Sequence, residues 1–182
     1  VFHLYYSLRP LMTQPIILIM GVSGCGKTTV GELLAQRIGR PFYDGDDFHS
    51  AANVAKMAAG HPLTDADRAE WLATLAKDFG QWEAAGGAVV ACSALKESYR
   101  QTLQAGASLP IGWVLLDGDP AVLRARLEGR QGHYMKADML ASQLATLERP
   151  SYGLKLNIED TPEQLVQQII DQLHLTPTAS QA

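Results

Sequence analysis

The chain has little cysteine, little net charge and no long apolar run, and each shortage removes a class of protein. Its two cysteines, Cys25 and Cys92, stand far apart in 182 residues. They match no metal-ligand spacing and cannot build a disulfide scaffold, so a reducing compartment, the cytoplasm, is the expected location. A formal net charge of −4 argues against nucleic acid or an anionic membrane as a bulk partner. No window supplies the roughly 20 apolar residues that a membrane-spanning helix needs. Internal repeats and low-complexity tracts are also missing. What remains, 47% apolar and 19% charged residues, is the balance of one ordinary globular domain with a sizeable core.

The first residues need separate treatment. Phe2, Leu4, Tyr5, Tyr6 and Leu8 suggest an export signal, but His3, Ser7, Arg9 and Pro10 interrupt the run and no small-residue cleavage site follows. Residues 1–14 therefore read as a loose leader, with Met12 a candidate translation start. A single domain is expected over 15–175, followed by a frayed tail at 176–182.

Within that span, strand signals alternate with helix signals. Ile16 to Met20 is a continuous apolar run ending at Gly21, the pattern of a strand buried on both faces. A helix is expected from Lys27 to Ile38, stopped by Gly39 and Pro41. Phe42-Tyr43 runs into the acids Asp44, Asp46 and Asp47. Thr64 caps a helix with the acids Asp65 and Asp67 in its first turn, and its Trp71, Leu75, Phe79 and Trp82 recur every three or four residues, the spacing of a core-facing stripe. Further strands are read at 88–92, 113–116 and 154–158, with helices at 94–103, 120–128 and 138–147. Thr161-Pro162-Glu163-Gln164 opens a last helix. The alternation predicts an α/β fold built on a mainly parallel sheet.

Gly21-Val22-Ser23-Gly24-Cys25-Gly26-Lys27-Thr28 matches the phosphate-loop pattern G-x-x-x-x-G-K-[ST] in full, between a strand and a helix. Glycines let successive backbone N–H groups close around phosphate oxygens, and the following helix adds the positive end of its dipole. Lys27 is then expected on the β- and γ-phosphates and the Thr28 hydroxyl on Mg²⁺, with Thr29 completing the nucleotide-binding stretch. Cys25, close to a helix N-terminus, sits where a thiolate is favoured and oxidation could block the nucleotide, but a small space-filler is the expected role.

The acid that orients the metal has two candidates. Asp117 follows the apolar run Trp113 to Leu116, and Asp44 with Asp46 follows Phe42-Tyr43. On an extended segment two acids at spacing two face one side, so Asp44 can serve the metal while Asp46 faces an acceptor hydroxyl.

Five segments together resemble the gluconokinases of the P-loop, shikimate-kinase-like group. They are Met20 to Thr28; Asp44-Gly-Asp-Asp-Phe-His49 with Asn53, Lys56 and Met57; and Gly60 to Arg68 with Trp71-Leu72. Then come Ala91-Cys-Ser-Ala-Leu-Lys96 with Tyr99-Arg100, and Arg126-Leu127 with Arg130, Gly132-His133, Met135, Ser142-Gln143 and Leu147-Glu148. Departures are confined to Cys25 for a common Ser, Glu70 for a common Pro, Tyr134 for a common Phe, and the leader, which has no counterpart.

The resemblance implies a three-layer αβα P-loop NTPase fold with a five-stranded parallel sheet, like nucleoside monophosphate and shikimate kinases, and a lid over about 124–137. It implies ATP and Mg²⁺ as cofactors, D-gluconate as substrate, 6-phosphogluconate and ADP as products, and a homodimer. It favours Asp44 for the metal and Asp46 for catalysis, and leaves Asp117 as a strand-end residue. Arg68, Lys96 and Arg100 would grip the carboxylate, His49 a hydroxyl, Arg126 and Arg130 the phosphates, and His133 the closed lid. Two rivals remain at this stage: another small-molecule kinase such as a shikimate kinase, and a nucleotide switch, although the Asn-Lys-x-Asp segment of guanine switches is missing.

Overall fold

The computed structural model describes residues 15–129 and 134–178, without the side chains of 134–138. The leader expected at 1–14 lies outside the described residues, as do Arg130 and His133. Among the described residues no helix is long and apolar enough to cross a membrane.

Five strands, β1 (Ile16–Met20), β2 (Phe42–Asp44), β3 (Ala88–Ala91), β4 (Gly112–Asp117) and β5 (Leu154–Asn157), form one sheet in the order β2-β3-β1-β4-β5. Every pairing is parallel, with Ile17 opposite Val89 on one side and Gly112 on the other. Helices α1 (Lys27–Ile38), α2 (Ala51–Ala58), α3 (Asp65–Ala84), α4 (Glu97–Gly106), α5 (Pro120–Glu128), α6 (Tyr134–Thr146) and α7 (Pro162–Gln172) complete the order.

Side-chain alternation along β1 creates three layers. Ile17 and Ile19 face Val30 and Leu34 of α1, Leu123 of α5 and Ile169 of α7. Ile16, Leu18 and Met20 face Trp71, Leu75 and Phe79 of α3 and Leu103 of α4. All five β1 side chains are fully buried, which explains why β1 reads as an unbroken apolar run. The α3 stripe is core as expected, with Trp82 at its end stacked on Tyr43 at 4.0 Å between ring centres.

Three elements differ from expectation. The helix expected from residue 94 starts at Glu97, because Ala94 sits at φ 42° and the Arg100 guanidinium holds the Ala94 and Leu95 carbonyls. Helix α2 was not anticipated, although its signal is legible: the Ser50 hydroxyl accepts from the Asn53 N–H as an N-cap. The tail expected to fray beyond 175 is held as far as Thr178, whose N–H donates to the Arg37 carbonyl.

Strand order decides where a ligand goes. After β1 the chain crosses outward to β2, and after β3 it crosses the other way to β4. Loops leaving β1 and β3 therefore diverge and open a crevice at the carboxyl edge of the sheet.

Candidate active site

The loop after β1 forms one wall of that crevice. Gly24 and Gly26 adopt φ 81° and 100°, left-handed values that favour glycine. A Cβ on Gly24 would also lie 2.9 Å from the Leu127 side chain of α5. Helices α2, α3, α5 and α7 are capped by side chains, whereas α1 has no side-chain cap and leaves its N-terminus open to an anion. Lys27 Nζ donates to the Val22 carbonyl at 3.1 Å, folding back along the loop. Thr29 is exposed, and the Val22 side chain is buried in the core.

Thr28 Oγ1 donates to Asp44 Oδ2 at 2.9 Å. Hydroxyl and carboxylate form an all-oxygen pair at the start of α1, a donor set that suits a hard cation such as magnesium. Asp117 is elsewhere: Arg149 at 2.8 Å and Lys155 at 3.0 Å engage its carboxylate at the end of β4.

The stretch that carries Asp44 and Asp46 is not extended as expected. Asp44 ends the strand, but Asp46 lies in a 3₁₀ turn, Gly45–Phe48, rather than on an extended segment. The Asp44 carboxylate caps that turn by accepting the Asp46 N–H at 3.1 Å. Trp71 Nε1 donates to the Gly45 carbonyl at 2.7 Å and fixes the turn from below. The indole therefore positions Asp46 as well as filling the core, a role that spacing alone did not reveal.

A cleft of about 260 Å³ runs from this wall across the crevice. Its lining includes Ser23 and Lys27 of the loop, Asp46, His49 and Trp71, and Asp65, Arg68 and Lys96. Ser142, Gln143 and Thr146 of α6 also line it. The Asp46 side chain is 73% exposed, so water reaches its carboxylate. The surrounding walls nevertheless thin the solvent and push its pKa up, Lys27 opposes this, and Asp44 adds to the rise.

His49 is the least satisfied group in the cleft. Its side chain is 4% exposed, its ring stacks on Trp71 at 4.3 Å, and Nε2 lies 3.9 Å from Asp46 Oδ1. Nδ1 is buried and has no hydrogen-bond partner among the described residues. Burial pulls the imidazole pKa down, so the neutral ring is favoured. A ligand hydroxyl would complete its bonding.

Comparison with known proteins identifies the family. The family model described as shikimate kinase matches residues 23–174. A gluconokinase of Gluconobacter oxydans is 48% identical, with 85% of this chain and 88% of that protein aligned. The chain belongs to the gluconokinase family. The solved structure of a gluconokinase from Sinorhizobium meliloti superposes with a TM-score of 0.82 at 38% identity, covering 89% of this chain and 93% of that one. An unliganded sugar kinase from a Janibacter species gives 0.83 at 39% identity, covering 90% and 96%.

Within this gluconokinase-family site the expected cations divide. Lys96 Nζ bonds both Asp65 oxygens, at 2.7 and 2.9 Å, and Tyr99 Oη also hydrogen-bonds Asp65. Those bonds, Lys96 first, hold the Asp65 carboxyl below its usual range. Arg68 donates to the Leu63 carbonyl and lies over the Tyr99 ring at 5.7 Å. Arg68 and Lys96 thus reach the cleft with Asp65 between them, a neighbour that sequence reasoning had left as a helix-start acid. Arg126 Nη2 donates to the Ile158 carbonyl at 2.6 Å, beside the phosphate loop rather than in the acceptor cleft.

Arg100 does not join them. It is 1% exposed and donates to the carbonyls of Ala94 and Glu148 at 2.8 and 2.9 Å, to Glu97 and to Tyr152 Oη. With its donors taken it is a structural clamp, and the carboxylate grip expected of it has no free N–H to work with. It borders instead a groove of about 660 Å³ beside Trp113 and Tyr152, which holds no part of the phosphate loop.

Cys25 fits the space-filling reading. The thiol is buried beneath the loop, and burial raises its pKa against the pull of Lys27, so the thiol form prevails. The lid expected over 124–137 includes Arg130 and His133, which lie outside the described residues.

Proposed function

We propose that this chain transfers the γ-phosphoryl group of ATP to the 6-hydroxyl of D-gluconate, giving 6-phospho-D-gluconate and ADP. One observation carries the reading. A single cleft holds the phosphate-loop lysine Lys27, the carboxylate Asp46, His49 with its Nδ1 unpartnered among the described residues, and the cations Arg68 and Lys96. Asp46 feels the charges of Lys27 and His49, and His49 those of Asp46 and Arg68, a set that suits a polyol acid with its hydroxyl end toward the nucleotide. The relatives named gluconokinase support the choice of acid.

In this reading the backbone amides from Gly21 to Thr28 and the Lys27 ammonium bind the phosphates, with Arg126 adding charge from α5. Asp46 takes the proton of the terminal hydroxyl as its oxygen forms a bond to the γ-phosphorus. The bond from that phosphorus to the β–γ bridging oxygen breaks, and ADP leaves with the electron pair. His49 accepts or donates to a neighbouring hydroxyl, while Arg68 and Lys96 hold the carboxylate. Thr28 and Asp44 are the residues that would hold magnesium, which neutralises charge on the β- and γ-phosphates when bound with the nucleotide.

Reduced, buried Cys25 and Cys92 support work in the cytoplasm. A homodimer is the assembly expected of this family member, and sedimentation would read it. The function is tested by ADP release with purified enzyme, Mg-ATP and a panel of gluconate, shikimate and nucleoside monophosphates. Gluconate alone should stimulate release; equal rates with and without it would overturn the reading.

A further inference from the structure

Ser23 is a phosphate-loop residue that faces the acceptor cleft, and its backbone N–H is already engaged. It donates to Gln143 Oε1 at 2.6 Å, across 120 residues of sequence. Gln143 lies on α6, between Ser142 and one turn before Thr146, and all three line the cleft. The C-terminal end of that helix is clamped to the loop after β3. The Glu148 N–H donates to the Leu95 carbonyl, Glu148 Oε2 accepts the Glu97 N–H, and Arg100 donates to the Glu148 carbonyl. Gln143 therefore reaches the phosphate loop from a fixed base.

We infer that Gln143 is a positioning residue that keeps the Ser23 amide satisfied until nucleotide arrives and then turns its own amide to an acceptor hydroxyl. A partly buried N–H does best with a partner, and the Gln143 carbonyl oxygen supplies a neutral one in a loop whose amides are expected to bind phosphoryl oxygen. A charged phosphoryl oxygen is the stronger acceptor and displaces it. The freed amide, carrying both donors and an acceptor, then stands beside the Ser142 and Thr146 hydroxyls, a surface matched to a polyol. Gln143 Nε2 has no partner among the described residues and is available for such a contact. Nucleotide and acceptor are coupled by this exchange, because filling the loop releases a ligand for the second substrate. The inference rests on the proposed kinase reading for its acceptor half, but its nucleotide half stands on the Ser23 contact alone.

The test measures the dissociation constant of a non-hydrolysable ATP analogue with magnesium, with and without gluconate, for wild type, Gln143→Ala and Gln143→Met. Without gluconate both variants should bind the analogue about two- to tenfold more tightly, the factor set by one neutral hydrogen bond. Gluconate should improve analogue binding by wild type and do so less for the variants, whose gluconate KM rises. Gln143→Met keeps the side-chain length and serves should the alanine variant fail to fold. A purely structural glutamine would weaken binding or leave it unchanged, and either result overturns the inference. Absence of any gluconate effect on wild type would overturn the acceptor half of the inference, the tightening without gluconate would still judge the nucleotide half, and gluconate-stimulated ADP release would judge the proposed function separately.

Discussion

Arg100 separates a structural from a substrate-binding reading, and Arg100→Met is the perturbation that does so. The guanidinium is 1% exposed and donates to two well-placed carbonyls, Ala94 at 2.8 Å and Glu148 at 2.9 Å. Leaving a buried carbonyl unsatisfied costs about 1–3 kcal/mol. Two of them give roughly 2–6 kcal/mol, with methionine refilling much of the stem volume. The partner Glu97 is 42% exposed and rehydrates, so no further penalty is assigned to the ion pair. For a chain of this size the loss corresponds to a Tm lower by roughly 5–20 °C. Urea unfolding followed by tryptophan fluorescence reads the stability, and steady-state kinetics well below the new Tm read the acceptor KM. Expected is a large drop in stability with the gluconate KM changed less than about threefold, under 1 kcal/mol of binding. A variant that keeps its stability while its gluconate KM rises tenfold would show that Arg100 grips substrate after all.

Asp46→Asn should lower kcat by about 10²–10⁴-fold, the usual worth of a positioned base, while leaving nucleotide affinity nearly unchanged. Because the cleft raises the Asp46 pKa, its contribution to stability is full below the ordinary carboxyl pKa and is lost as pH rises through the folded value. Calorimetry at pH 7 should therefore find the Asn variant no less stable than wild type, and the acid limb of kcat/KM should lie above the usual aspartate range. Asp44→Asn should raise the magnesium concentration needed for half-maximal turnover, whereas Asp117→Asn should change stability and not metal dependence; the reverse pattern would refute the assignment of the metal to Thr28 and Asp44. A maleimide reagent applied to folded enzyme should leave Cys25 unlabelled by mass spectrometry, since the thiol is both buried and held protonated.

Glycine spacing and apolar runs were enough to place the phosphate loop between β1 and α1, because both features are local: five buried side chains in a row and a left-handed turn need no knowledge of distant residues. The α3 stripe was legible for the same reason. Where sequence reasoning failed, the cause was a contact made across the fold. Arg100 belongs to a motif and carries a fork suited to carboxylates, but the carbonyls of Ala94 and Glu148 reach it first. Asp46 was placed on an extended segment because nothing nearby signals that Trp71, 25 residues on in sequence, bonds the Gly45 carbonyl and bends the chain into a turn. Asp65 looked like one more helix-start acid until Lys96 and Tyr99 closed on it.

Sequence by itself determined that this protein binds a nucleotide triphosphate on a parallel α/β sheet, since the cradle is made of consecutive residues whose backbone chemistry travels with them. Only tertiary structure decided which charged groups face the acceptor. Strand order brings the loops after β1, β2 and β3 to one edge, and a side chain's role there depends on which partner it meets before the ligand does. His49 meets none at Nδ1 and stays available; Arg100 meets five and is spent.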